Sequence, residues 1–412
     1  MPDNDYELYV GVDWATQTHQ ICALGPGGER VDERSVPHTG AGLAALGVHL
    51  RQHVSDPARI AVAIEVPHGA VVDALLAHGC HVFAINPKQL DRFRDRHTVA
   101  GAKDDRRDAF VAADALRTDR GAFRRLHAED PHLIQLRELS RIHGELVEEH
   151  SRVTNRLREQ LWRFYPQLLA LSPAADEPWL WALLQQAPTP IQGRRLTLSA
   201  LRALLARHRI RRLTAEALRA ALQAPDLPVA AGIVEAASEH VGLLLPRLQL
   251  VHEQRTRCER RLEALLALLA TPAAGDDQDE HRDVTILRSL PGVGRVVAAT
   301  MLAEASRPLA ARDYQTLRAH AGAAPVTRQS GKSRFVSMRR SCNSRLRAAV
   351  FHWARNSIRL DPHSRAHYQR LRQRHGHARA LRGVADRLLD VLIALLSTRT
   401  LYDPERRQQN AA

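Results

Sequence analysis

Between residues 7 and 87 the chain alternates short apolar runs with turn residues. Leu8-Tyr9-Val10-Gly11-Val12, Gln20-Ile21-Cys22-Ala23-Leu24 and a run over 30–36 predict three strands, and the turn Gly25-Pro26-Gly27-Gly28 is short enough to join neighbours antiparallel. A helix over 42–53, with Leu43, Leu46 and Leu50 as its apolar positions, precedes a run over 59–65 that is apolar almost throughout, as in a central strand covered on both faces. A second helix over 69–78 leads to a fifth strand at 81–85. Farther on, residues 131–165 carry apolar positions at Leu133, Leu136, Leu139, Ile142, Leu146, Val153, Leu157 and Leu161, a spacing near 3.5 that predicts a coiled coil or long helical hairpin. The pattern resumes over 231–270, so two long helices are expected to pack antiparallel. Residues 172–228 read as shorter helical pieces punctuated by prolines, 271–283 as a linker, and 284 to about 401 as a mostly helical domain.

Three strands, helix, strand, helix, strand is the order of an α/β domain of the ribonuclease H and RuvC type, with a mixed five-stranded sheet. Three segments follow: 1–125 as this domain, 126–270 as a helical, coiled-coil region, and 284–402 as a helical C-terminal domain.

Within that frame four acids stand out. Asp13 follows the first apolar run and Glu65 ends the fourth, and the two strands are neighbours in the proposed sheet, so both carboxylates emerge at one edge. Lys103-Asp104-Asp105-Arg106-Arg107-Asp108 opens a further helix, where Asp105 and Asp108, three apart, share a face. Each acid alone has an ordinary explanation as a turn, cap or first-turn residue. Together, four carboxylates around one notch repel one another unless cations neutralise them, and oxygen ligands of this kind select Mg²⁺, or Mn²⁺ in its place. Paired ions about 4 Å apart can clamp the attacking and leaving oxygens of a phosphodiester.

Charge strengthens the connection to nucleic acid. The 412 residues include 59 Lys+Arg against 45 Asp+Glu, a net charge of +14, which calls for a polyanionic partner. The longest apolar run, near 262–270, is too short to span a bilayer, so a membrane partner is not expected. The acidic start, Met1-Pro2-Asp3-Asn4-Asp5, has no signal-type apolar stretch after it, and a cytoplasmic location is expected. Cys22, Cys80, Cys258 and Cys342 lie far apart with no CxxC pair, which predicts ordinary buried thiols.

Much of the positive charge gathers late in the chain: from Arg318 to Arg387 there are seventeen Lys/Arg against two acids, Asp361 and Asp386. Such a run predicts phosphate contacts and a steep salt dependence of binding. Leu290-Pro291-Gly292-Val293-Gly294 before an apolar helix reads equally as the phosphate-approaching hairpin of a helix-hairpin-helix element or as a plain tight turn. Ser330, between Gln329 and Gly331 with Arg328, Lys332 and Arg334 beside it, is on local sequence alone a turn residue.

The segments GVDWA (11–15), AIEVP (63–67), AKDDRRDA (102–109), LPGVG (290–294), AGAAPVTRQSGK (321–332) and SRLRAAVFHWA (344–354), in this order, resemble the DEDD transposases of insertion sequences, family one hundred and ten and its close relatives. The resemblance covers nearly the whole chain. It implies a recombinase guided by a structured noncoding RNA that pairs with donor and target DNA, working as a homo-oligomer, dimer or tetramer, whose catalytic site draws its two domains from different subunits. The family's metal-binding tetrad falls on Asp13, Glu65, Asp105 and Asp108, and its nucleophile, which becomes covalently linked to DNA, on Ser330. The chain departs at Asp104, where family members more often carry Thr or Asn; Asp105 keeps the DxxD spacing. Lys103, Arg106, Arg328, Lys332, Arg334, Arg339, Arg340 and Arg345 are the expected nucleic-acid contacts. Two other readings stand beside this one: a RuvC-like metal-dependent endonuclease that uses water as its nucleophile, and a non-catalytic nucleic-acid-binding protein whose acids are structural.

Overall fold

The computed structural model describes residues 6–97, 104–128, 130–271, 282–331 and 333–405. Lys103, Lys332 and most of the expected linker over 271–283 lie outside the described residues. The chain divides into two compact units, Met1–Asp130 and Pro131–Ala412.

In the first unit, β1 (Leu8–Asp13), β2 (Thr18–Leu24) and β3 (Arg30–Pro37) form the expected antiparallel meander. Helix α1 (Gly40–His53), capped by Thr39, leads to β4 (Ile60–Ile64), which pairs parallel with β1; α2 (Ala70–Ala77) leads to β5 (His81–Ala84), parallel to β4. Two helices then follow, α3 (Pro87–His97) and α4 (Asp105–Asp119). The expected five strands become six, in the order β3-β2-β1-β4-β5-β6, because β6 (Arg124–Arg125) pairs antiparallel with β5. Two arginines show no periodicity of their own; the free edge of β5 makes them a strand.

Residue parity assigns the two faces of the sheet. Val10, Val12, Val62 and Ile64 pack with Leu43, Leu46 and Leu50 of α1 and Val71, Val72 and Leu75 of α2. Ala61 and Ala63 pack with Val111, Ala112 and Ala115 of α4, and Cys22 and Leu24 with Ala109 and Ala113. Gly11 explains how close α4 comes: a Cβ there would stand 1.8 Å from the Ala109 carbonyl oxygen and 2.6 Å from the Ala113 nitrogen.

The second unit is built on the two long helices, α5 (Pro131–Phe164) and, after the short helices α6 (Gln167–Leu171), α7 (Pro178–Gln186), α8 (Pro190–Arg194), α9 (Leu198–Arg207) and α10 (Ala215–Leu222), α11 (Ile233–Ala270). They pack antiparallel as expected. Leu136 of α5 shares a cluster with Leu262, Leu265 and Leu266 of α11, whereas Leu157 and Leu161 share one with Val241, Leu244 and Leu248. The second cluster also takes in Trp179, Trp181 and Leu218 from the intervening helices. The first joins α5 and α11 to α12 (Asp283–Ser289), α13 (Arg295–Glu304), α14 (Ser306–Ala310) and α15 (Tyr314–His320), and to α16 (Ser344–Leu360) and α18 (His377–Thr398), with α17 (Pro362–Arg372) packed between these last two. Between α15 and α16 stands a hairpin, β7 (Val326–Ser330) and β8 (Ser333–Ser337).

Among the described residues no helix is long and apolar enough to cross a membrane. All four cysteines are free; Cys22, Cys80 and Cys258 are buried as expected, but Cys342 is only partly so. Burial pushes the Cys22 and Cys80 thiols up to about 11, which keeps them protonated and inert.

Candidate functional site

Asp13 is the last residue of β1, and Glu65 directly follows β4. The parallel register sets Val12 opposite Ile64, so the two acids leave neighbouring strands at the same level. By alternation from Gly11 and Ala63, both fall on the face covered by α4. That helix runs antiparallel to β1. Its Ala109 and Ala113 cross Gly11, while Arg117 near its C-terminus reaches the Pro26 carbonyl in the β2–β3 turn, beside the start of β1. The N-terminus of α4, with Asp104, Asp105 and Asp108, therefore lies at the end of the sheet where Asp13 and Glu65 emerge.

The three aspartates of α4 have different surroundings. Asp104 is the N-cap, its Oδ1 accepting the Arg106 backbone N–H at 3.3 Å. Asp105, in the first turn, is exposed, where the helix dipole favours a negative charge. Asp108 is 3% exposed and accepts the Arg94 Nε–H at 2.8 Å. Arg94 also donates to Asp91 at 2.7 Å. Burial works against the Arg94 charge, but the hydrogen bonds and charges of Asp108 and Asp91 outweigh it and hold its pKa above the usual arginine value.

The four acids thus share one end of the sheet without closing into a compact ligand set: among the described residues, no three of them bring oxygens within 4.8 Å of one another. Mutual repulsion holds carboxylates apart unless a cation stands among them. Arg94 had no sequence signal, since a charged helix with few apolar positions gives no stripe and nothing in its spacing ties residue 94 to residue 108.

Ser330 ends β7 and is exposed, paired opposite Ser333, and the next residue, Gly331, has φ +55°. A strand end stands where the local sequence read as a turn. The register separates the arginines expected around it. Arg328 lies opposite Phe335 and on the same face of the hairpin as Ser330; Arg334 lies opposite Gln329, on the other face. Arg328, Arg334 and Arg340 are exposed, and Arg345, in the first turn of α16, places Nη1 3.5 Å from the Arg141 carbonyl. Elsewhere in this unit Arg318 is paired with Asp386 and Arg312 with Asp283, whereas Arg328, Arg334, Arg339 and Arg340 have no acidic partner among the described residues. Arg106 stands 3.5 Å from Glu33 through its Nε.

The Leu-Pro-Gly-Val-Gly segment joins α12 to α13 and is locked onto α16. Trp353 Nε1 and Ser357 Oγ both donate to the Pro291 carbonyl, at 3.0 and 2.6 Å. Gly292 has φ +85°, and a Cβ on it would meet the Ser357 nitrogen at 2.8 Å. Packing accounts for this glycine.

An acidic end to a mixed sheet, together with exposed arginines in a helical unit, is the equipment of an enzyme acting on nucleic acid, and comparison with known proteins gives the class as transposase. Residues 10–166 match the DEDD-type IS110 model described as Transposase, and residues 284–369 match the model described as Transposase IS116/IS110/IS902 family. The chain is 35% identical to the "Mini-circle putative transposase for IS117" of Streptomyces coelicolor over 98% of both chains. It is 49% identical to "Putative transposase y4uE" of Sinorhizobium fredii over 50% of this chain and 58% of that protein, and 29% identical to the IS110 43.6 kDa protein of Streptomyces coelicolor over 97% of this chain and 96% of that one. The protein belongs to the IS110 family of insertion-sequence transposases. It is accordingly a DNA transposase, and its DEDD domain points to a divalent-metal requirement.

Proposed function

We propose that this transposase cuts and exchanges DNA strands with Ser330 as nucleophile and with Mg²⁺, or Mn²⁺ in its place, held by Asp13, Glu65, Asp105 and Asp108 of a RuvC-like domain. A structured noncoding RNA would select donor and target DNA, and the working form would be a homo-oligomer, dimer or tetramer, in the cytoplasm. The observation that carries the reading is the convergence at the sheet end: Asp13 and Glu65 leave level strands on the face that α4 covers, and the acidic start of α4 lies at the same end. The donor set is all carboxylate oxygen, which suits a hard divalent cation. When bound, such ions balance the charge of the acids and of the oxygens around a reacting phosphorus.

The protein's own part follows from ordinary phosphoryl chemistry. The Ser330 Oγ gives up its proton to solvent and attacks phosphorus, while one P–O bond of the DNA breaks and the departing oxygen takes up a proton to leave as a DNA hydroxyl. The resulting serine phosphodiester conserves the bond energy, so a second DNA hydroxyl can displace the serine without an external energy source. Arg328, on the serine's face of the hairpin, is suited to offset charge on the non-bridging oxygens. Arg106, Arg334, Arg339, Arg340 and Arg345, with Lys103 and Lys332, would contact phosphates of DNA and RNA.

Denaturing electrophoresis of the protein with labelled DNA, RNA and Mg²⁺ tests this reading. The wild type should form a covalent protein–DNA adduct and Ser330→Ala none, while Asp13→Asn and Glu65→Gln keep DNA binding and lose cleavage by about 10²-fold or more. Cleavage by Ser330→Ala at the wild-type rate would establish water as the nucleophile and end the serine reading.

A further inference from the structure

On the outer edge of the sheet, β3 and α1 bring together three side chains that the acidic site does not use. Asp32 Oδ2 stands 3.1 Å from His49 Nε2, and His49 Nε2 stands 3.1 Å from His53 Nε2; the ligand atoms of all three lie within 4.8 Å of one another. His49 and His53 are four apart on α1, so one helix face presents both rings.

His49 Nδ1 is 3.1 Å from Gln52 Oε1, so the tautomer with its proton on Nδ1 leaves Nε2, the atom next to both Asp32 and His53, with a free lone pair. A metal ion among the three side chains would take a lone pair from each of them at once. The Gln52 contact then acts as the outer hydrogen bond that fixes a ligating imidazole's tautomer.

The spacing agrees. Ligands about 2.0–2.1 Å from a tetrahedral Zn²⁺ stand roughly 3.3 Å apart, close to the two 3.1 Å separations. Two imidazoles and one carboxylate suit a borderline transition ion and are poor donors for Mg²⁺. Arg34 competes for the carboxylate, donating from Nε to Asp32 Oδ2 at 2.8 Å and from Nη2 to Oδ1 at 3.1 Å.

We infer that Asp32, His49 and His53 form a second metal site, for a Zn²⁺-class ion, which clips α1 to the edge strand β3 and is distinct from the tetrad. Isothermal titration of the full-length protein with Zn²⁺ in excess Mg²⁺ should show one site, weakened at least tenfold in His49→Ala and in His53→Ala. Arg34→Ala, which frees Asp32 from its competitor, should tighten it severalfold. Co²⁺ in place of Zn²⁺ should give the visible absorption of a four-coordinate ion, lost in both histidine variants. His53 is exposed and Arg34 lies at the surface, so those two variants keep the test decisive if His49→Ala folds poorly. Unaltered Zn²⁺ affinity in His53→Ala together with no gain in Arg34→Ala, or no stoichiometric binding by the wild type, overturns the assignment.

Discussion

The absence of one side chain sets the geometry of the acidic site. Gly11 lets the α4 backbone rest on β1 two residues before Asp13, and that contact brings Asp105 and Asp108 to the sheet end. Gly11→Ala should cost about 1–3 kcal/mol or more by overpacking, visible as a lower Tm, and should reduce cleavage beyond the loss of folded protein because the acids shift with the helix. The hairpin offers a comparison between two arginines that flank the turn's serine pair, Arg328 two residues before Ser330 and Arg334 directly after Ser333. Arg328 shares the face of Ser330 and Arg334 does not. Arg328→Ala should therefore slow adduct formation by about 10²-fold, whereas Arg334→Ala should weaken DNA binding with little effect on the single-turnover rate. Equal effects on that rate would remove the distinction between the faces. The acids themselves were legible as strand-end and helix-start residues; Arg94, which holds Asp108, was not, because a long-range ion pair leaves no local pattern.

Elements with a strong apolar repeat were readable, and those that bury little were not. The two long helices declared themselves by apolar spacing, and their antiparallel packing follows from clusters that pair early α5 with late α11. By contrast β6, two arginines long, and the hairpin β7–β8, most of whose residues are exposed, bury too little to show a period-two pattern. The helical pair also carries a pH response. His150 of α5 and His252 of α11 approach Trp181, and burial first, then the Arg255 charge, lowers the pKa of both. His150 Nε2 and His252 Nδ1 are buried with no hydrogen-bond partner among the described residues. A histidine with a lowered folded-state pKa binds its proton more readily when unfolded. The helical unit should therefore be stable above the ordinary histidine value of 6.5 and lose stability as pH falls below it, by at most about 1.4 kcal/mol per pH unit for each such histidine. Melting curves at pH 7.5 and 5.5 check this, and His150→Gln should flatten the difference.

For the whole molecule the charge of +14 is the dominant fact. Nucleic-acid affinity should fall steeply with salt, with a log–log slope of about 0.9 per phosphate contacted in duplex DNA. Arg339→Ala and Arg340→Ala should each lower that slope by about 1, read by filter binding from 50 to 300 mM salt; an unchanged slope in both would place the phosphate contacts elsewhere. Small RNA sequenced from the purified protein bears on the guide. By itself the sequence determined the class of the strongly patterned elements, the meander followed by parallel strands, and the ordered motifs that mark an IS110-family transposase, because hydrophobic period and short motifs are local properties of the chain. Only the tertiary structure decided that α4 runs antiparallel to β1 over Gly11, that Arg94 pairs with Asp108, that Arg328 and Arg334 lie on opposite faces of a hairpin, and that Asp32 meets His49 and His53. Each of these depends on which segments close against one another, a choice made by packing and strand register across tens of residues.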